Sequence, residues 1–248
     1  MLHTTCYNNG METSGETPIV LLPGMDGTGE LLRPLAEQLS IHRPVQLVSY
    51  PVDRFLSYDQ LVSYVKERLP NDRCVILGES FSGPIAIEIA ATDSRIAGLV
   101  LASSFARHPF PTQIAAFARL LDPRWIPTSI VVAVLMGVTA TPELKMHLRQ
   151  VLRTLPPEII QARIQEVLRV DKRVRLNEIA CPMLCLHGYS DRLVSKKHVD
   201  EIVSARPDCQ TRWLESSHML LATHTDAAVN VIEEFCEHLN RCGGPASS

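Results

Sequence analysis

An α/β fold, with a mostly parallel central sheet, helices on both faces of that sheet and an inserted helical cap, follows from three features of this 248-residue chain. Short apolar runs alternate with stretches of helical spacing, one apolar run ends in a serine set among small residues, and the alternation stops for a single long helical interval. Residues 19–22, 45–49, 74–77, 98–102, 183–187 and 211–214 are the apolar runs, and they read as strands. Between the first of them, 30–39, 57–69 and 84–91 place apolar residues at helical spacing, and 195–205 does so later. Strand and helix in regular alternation imply βαβ units, hence parallel strands with helices packed above and below.

After Ser104 the rhythm changes. Residues 105–172 hold the amphipathic stretches 114–121, 143–155 and 158–170 and no convincing strand, with Pro157 where a first helical turn tolerates proline. This interval reads as a cap inserted into a core formed by 1–104 and 173–248. An ordinary α-helical subdomain is the plainer alternative, but because the interval lies between two sheet strands it must leave and re-enter at a sheet end, where it could cover a site. The first eighteen residues and the tail 243–248 carry little pattern.

Composition narrows the function. With 46% hydrophobic and 21% charged residues, the chain is long enough for one undivided core. Lys plus Arg number 24 against 27 for Asp plus Glu, and a net charge of −3 supplies no positive field for nucleic acid or an anionic membrane. The apolar run 130–138 is about half the ~20 residues that a membrane-crossing helix needs. Seven cysteines, at 6, 74, 181, 185, 209, 236 and 242, form no paired pattern, and the start Met-Leu-His-Thr-Thr-Cys lacks a basic segment followed by an apolar one. A reduced, cytoplasmic protein is expected. Cys181 and Cys185 bracket a strand rather than a tight metal knuckle, so no metal is expected there.

The chemistry gathers at one rim. Parallel strands deliver their carboxyl ends to the same edge of the sheet, so residues that follow different strands can meet although distant in sequence. Ser80 follows the run 74–77, Asp191 follows 183–187 through Gly188-Tyr189-Ser190, and His218 follows 211–214 through Glu215-Ser216-Ser217. A serine hydroxyl needs a tight turn to expose it and a base to activate it, and Gly78 and Ser82, two residues before and after, are small enough for that turn. Imidazole suits the base at neutral pH, and a carboxylate must hold its tautomer. His218 and Asp191 fill those roles. Asp208 precedes its strand and belongs to the opposite rim; His198 and Asp200 fall in a helical pattern and read as solvated; His224 starts the last helix and reads as a cap; His187 reads as a hydrogen-bonded structural histidine.

Acyl transfer also needs backbone donors for an oxyanion, commonly worth ~3–4 kcal/mol each. The amide of Phe81, just after the serine, is one, and that of Met25 in Leu22-Pro23-Gly24-Met25-Asp26-Gly27-Thr28-Gly29 is the other. That loop lacks both Gly-x-Gly-x-x-Gly and a P-loop lysine, which argues against a nucleotide. Glu79 reads as a structural hydrogen-bonding partner and Asp26 as the start of a turn with Gly27. Phe81, Phe105, Trp125 and Met136 line an acyl pocket or belong to the core.

Leu22-Pro23-Gly24, Gly78-Glu79-Ser80-Phe81-Ser82-Gly83, His187-Gly188-Tyr189-Ser190-Asp191 and Ser217-His218, in that order, resemble the α/β-hydrolase superfamily over roughly residues 18–240. The resemblance implies a serine hydrolase with an acyl-enzyme intermediate, no cofactor, and Ser80, Asp191 and His218 as its triad. Two places depart from the usual pattern: Pro23 stands where a histidine is common, and Ser82 where a glycine is, which leads us to expect a tighter elbow. The oxyanion loop together with Gly-Glu-Ser-Phe also resembles esterase-like and acyltransferase-like branches, including relatives of phytyl ester synthases. The expected activity is hydrolysis of small-molecule carboxylic esters of small to medium acyl chains. Acyl transfer, thioester hydrolysis or C–C bond cleavage on the same scaffold, and a noncatalytic binding protein, are the alternatives.

Overall fold

The computed structural model describes residues 4–7, 16–109, 127–137 and 140–243, side chains excepted at 242 and 243. Its centre is a seven-stranded sheet in the order β1-β3-β2-β4-β5-β6-β7. The strands are β1 Thr4–Tyr7, β2 Ile19–Leu22, β3 Val45–Val48, β4 Cys74–Glu79, β5 Ile96–Ala102, β6 Met183–Gly188 and β7 Gln210–Leu214. All neighbours are parallel except β1, which pairs antiparallel with β3 from Thr4↔Val48 to Tyr7↔Val45. The first eighteen residues therefore hold a strand where little pattern was expected. An edge strand exposed on most of its length has no buried face to write alternation into its sequence.

Side chains alternate through the sheet. Ile19 and Leu21 face one layer and Val20 and Leu22 the other. The first layer is closed by α1 (Arg33–Leu39), the short α9 (Leu220–Thr223) and the terminal helix α10 (Thr225–Gly243), through Leu35, Leu39, Leu220, Ile232 and Phe235. The opposite layer is closed by α2 (Tyr58–Lys66), α3 (Gly83–Thr92), the short α7 (Arg173–Leu176) and α8 (Lys196–Ala205), through Leu61, Ile85, Leu176 and Ile202. Helices thus cover both faces, as the alternation of patterns requires. The expected helix 30–39 begins as a 3-10 turn, Glu30–Leu32, before α1.

Between β5 and β6 lie α4 (Thr128–Met136), α5 (Pro142–Thr154) and α6 (Pro157–Val167). The expected stretch 114–121 and Trp125 fall outside the described residues. The third expected helix ends at Val167 rather than 170, because the chain there turns into a neck: Lys172 N–H donates to Ala106 O at 2.7 Å and His108 N–H to Val170 O at 3.1 Å. The outgoing and returning chains are thereby clasped together. Glu88 of α3 anchors the clasp by accepting from Lys172 at 2.8 Å and pairing with Arg175 at 3.1 Å. A separate apolar cluster joins Val132, Met136, Leu148 and Val151 of these helices to Leu31 and Met219 of the core. No helix among the described residues is long and apolar enough to cross a membrane.

Candidate active site

Strand β4 ends at Glu79, and Ser80 turns the chain with φ +46°, a left-handed conformation that is strained for any residue but glycine. The turn closes because Gly78 has no side chain: a Cβ there would stand 2.7 Å from Ser82 O and 2.9 Å from Ala86 Cβ. Gly83 is required equally, since its Cβ would fall 1.8 Å from Ser104 Oγ, the hydroxyl that donates to Ser80 O at 2.6 Å. Ser82 adds a tether that glycine lacks. Its buried hydroxyl donates to Pro23 O and accepts from Tyr50 Oη at 2.6 Å, fastening the elbow to the loop after β2.

His218 stands between the other two residues. Its Nε2 lies 2.8 Å from Ser80 Oγ and its Nδ1 2.8 Å from Asp191 Oδ2, so the tautomer with a proton on Nδ1 donates to the carboxylate and leaves Nε2 to accept. Asp191 Oδ1 accepts from the backbone N–H groups of Leu193 at 2.8 Å and Val194 at 2.9 Å. Burial alone raises the Asp191 pKa, but the hydrogen bond to His218, its charge and the backbone donors outweigh burial and hold the carboxyl below its ordinary value. The turns carrying these residues meet at Gly188, where a Cβ would lie 2.5 Å from the carbonyl oxygens of Ser216 and Ser217. Tyr189 N–H to Leu214 O and Ser190 N–H to Ser216 O, both 2.9 Å, lock the two turns together.

The competing residues lie elsewhere. Asp208 pairs with Arg206 at 2.6 Å at the start of β7, Asp200 pairs with Lys196 at 2.5 Å on the surface, and His224 accepts through its backbone from Ala228 N–H at the start of α10. His187 Nε2–H donates to Val194 O at 2.8 Å, and burial lowers its pKa, so it stays neutral beneath Asp191. His198 departs from expectation. It is buried rather than solvated, because α8 turns it inward, where Nδ1 reaches Ser195 O at 3.2 Å.

Residues 23–28 form the loop opposite the elbow, and nearly every polar group in it is engaged. Glu79 Oε2 accepts from Gly24 N–H at 3.1 Å, Gly24 O accepts from Gly27 N–H at 3.1 Å, and Asp26 makes the turn by accepting from Thr28 N–H at 2.9 Å. Glu79 and Asp26 thus hold the structural places that the sequence suggests. Tyr50 N–H donates to Gly27 O at 2.7 Å and Ser49 Oγ to Thr28 O at 2.7 Å. Phe81 stacks on Tyr58 with ring centroids 4.8 Å apart, and Phe81, Phe105 and Met136 are all buried.

One residue at the loop escaped the sequence reading. Arg163 of α6 reaches across with Nη1 2.7 Å from Met25 O and 2.8 Å from Asp26 O, and Nη2 2.9 Å from Pro51 O. Burial lowers its pKa against the opposing pull of Asp26. The signal was its place on the helix stripe, four residues after Ile159 and four before Val167, both buried.

Among the described residues no group of three or more His, Cys, Asp or Glu side chains is placed to hold a metal ion. The sheet order, the strand–serine–helix elbow and the helices on both faces define an α/β hydrolase. Residues 55–222 match the family model of the serine aminopeptidases, S33, and the chain belongs to that family. The matched segment includes Ser80, Asp191 and His218 but not the loop 23–28. The chain is 27% identical to the pimeloyl-(acyl-carrier protein) methyl ester esterase of Citrobacter koseri, over 92% of this chain and 94% of that protein. The enol-lactonase of Burkholderia xenovorans superposes with a TM-score of 0.82 at 19% identity, covering 94% of this chain and 95% of that one. An esterase of Exiguobacterium antarcticum does so with 0.82 at 12% identity, covering 95% of each, and the bromoperoxidase of Bacillus anthracis with 0.80 at 15%, covering 94% of each.

Proposed function

We propose that this chain is a serine esterase that hydrolyses carboxylic esters of small to medium acyl chains, with Ser80, His218 and Asp191 as its triad. The observation that carries the reading is the unbroken relay from Ser80 Oγ through His218 to Asp191, with 2.8 Å at each step. In this scheme Ser80 Oγ attacks the ester carbonyl while His218 Nε2 takes its proton, and Asp191 stabilises the resulting imidazolium. The N–H groups of Phe81 and Met25 hold the oxyanion, the imidazolium protonates the departing alcohol, and an acyl-Ser80 ester remains. Water, deprotonated by His218, then releases the acid and restores Ser80. The scheme needs no cofactor.

Residues 105–172 act in this reading as a cap. Its boundaries are supported by the neck clasp between 106–108 and 170–172, and its position by α4, whose Leu135 O accepts from Met219 N–H, beside His218, at 3.1 Å. Val132 and Met136 against Met219 make that side apolar, which suits an uncharged acyl group. The relative from Citrobacter koseri is named as an ester hydrolase, which supports esters over other substrates. A reducing, cytoplasmic setting belongs to the same reading, on the unpaired spacing of the cysteines in the sequence.

The test is turnover of p-nitrophenyl esters of graded acyl length by the wild type and Ser80→Ala, with aminoacyl p-nitroanilides as the peptidase control and a fluorophosphonate to label the nucleophile. Ester turnover that vanishes with Ser80, and labelling confined to Ser80, are expected. Product partitioning to added alcohol in preference to water would make the protein an acyltransferase. An unlabelled Ser80 would leave a binding protein.

A further inference from the structure

Arg163 is 2% exposed on a helix of the insertion, and no carboxylate among its hydrogen-bond partners offsets the cost of burying its charge. An apolar residue on that stripe would pack without this cost, so the reason for an arginine lies in what its guanidinium holds. It holds the backbone around the proposed second oxyanion donor. The peptide plane that carries the Met25 N–H begins at Gly24, and a glycine places no side-chain restraint on the torsions that aim that plane. Restraint comes from neighbours: Glu79 Oε2 accepts from the Gly24 N–H before the plane, Gly27 N–H donates to the Gly24 carbonyl within it, and Arg163 donates to the carbonyls of Met25 and Asp26 after it. Two of these restraints belong to the core. The third comes from the insertion.

The fit is close. A Cβ on Gly27 would stand 2.6 Å from Arg163 Nη1 and 2.8 Å from Nη2, so the guanidinium occupies the space where a side chain at 27 would lie. The same group sits 6.0 Å from the ring centroid of Phe81, the residue that supplies the other proposed donor. We infer that Arg163 is a positioning residue for ester hydrolysis: it orients the Met25 N–H toward the oxyanion and makes the core's chemistry depend on the docking of α6. The inference rests on the serine-esterase reading above.

Its test compares wild type, Arg163→Gln, Arg163→Lys and Gly27→Ala for kcat and KM on p-nitrophenyl butyrate, for inhibition by a trifluoromethyl ketone, and for thermal unfolding. The ketone forms a hemiketal with the serine that bears the same oxyanion, so it reports donor alignment separately from fold. In Arg163→Gln, kcat falls about 10- to 100-fold with KM within about threefold, and ketone affinity falls by a similar factor. Arg163→Lys, which keeps a donor and the charge, recovers part of both. Gly27→Ala displaces the guanidinium and, at φ +72°, also strains its own backbone, so it must show the same paired losses; unchanged values there overturn the inference even if Arg163→Gln does not fold. Unchanged kcat in a folded Arg163→Gln or Gly27→Ala, or a loss confined to KM, overturns the inference. Turnover that survives Ser80→Ala overturns the esterase reading instead, whereas Ser80-dependent turnover indifferent to Arg163 overturns this inference alone.

Discussion

Glu79 and Asp191 are buried carboxyls of one site that burial and hydrogen bonding pull in opposite directions. Glu79 is enclosed, and desolvation together with the nearby Asp26 pushes its pKa up to about 8, with one backbone N–H in opposition. Asp191 has an imidazole and two backbone donors and stays ionised. For Glu79 the folded state retains a proton that the unfolded chain releases above the ordinary value of 4.5. Its contribution to stability is therefore whole below that value and is lost as pH rises toward 8, on the order of several kcal/mol in all. Urea unfolding of wild type and Glu79→Gln across this interval is expected to show the wild type losing ground steadily to the variant; parallel curves would mean that Glu79 is ionised throughout. In Asp191→Asn the imidazole loses its tautomer control, and kcat on p-nitrophenyl esters should drop by about 10⁴ with the fold kept. A rate near that of wild type would move the acid to another residue.

The elbow was legible in sequence because a strand, a strained turn and a helix each leave a local mark: an apolar run, small residues two places either side of a serine, and apolar helical spacing. Its geometry makes Gly78 intolerant of substitution. Gly78→Ala should cost about 1–3 kcal/mol in chemical denaturation and lower turnover, since the new Cβ meets the Ser82 carbonyl, which is backbone and cannot rotate away. Wild-type stability and turnover in that variant would show an elbow looser than described. Other elements left weaker marks. Strand β1 is held by main-chain pairing to β3, and that pairing leaves its side chains largely exposed and unpatterned. A lone polar residue on a helix says little about which way its side chain turns, so nothing in the sequence marks His198 as buried, and Arg163 has the pattern of an ordinary charged member of an amphipathic helix.

Distant segments are tied by a few contacts that close the layers. Arg43, 1% exposed, donates through Nε and Nη2 to both oxygens of Glu233 at 2.8 and 2.6 Å, and through Nη1 to Thr17 O at 3.0 Å, joining the approach to β3 to the terminal helix. Removing one partner of such a pair leaves the other charge uncompensated. Arg43→Ala should therefore lower unfolding stability by about 3–5 kcal/mol without altering KM, as urea titration and ester kinetics would show. A loss under about 1 kcal/mol would place this pair among the weak surface ones.

Local pattern was enough to mark six of the seven strands, the helices that alternate with the first of them, the serine elbow and the three residues that parallel strands send to one rim, because periodicity and parallel-strand geometry are properties of short segments and of their succession. Which partners Ser82, Glu79 and Arg163 find for their hydrogen bonds was settled by packing alone. Those partners lie 59, 55 and 138 residues away along the chain, at Pro23, Gly24 and Met25, and no local rule reaches across such separations.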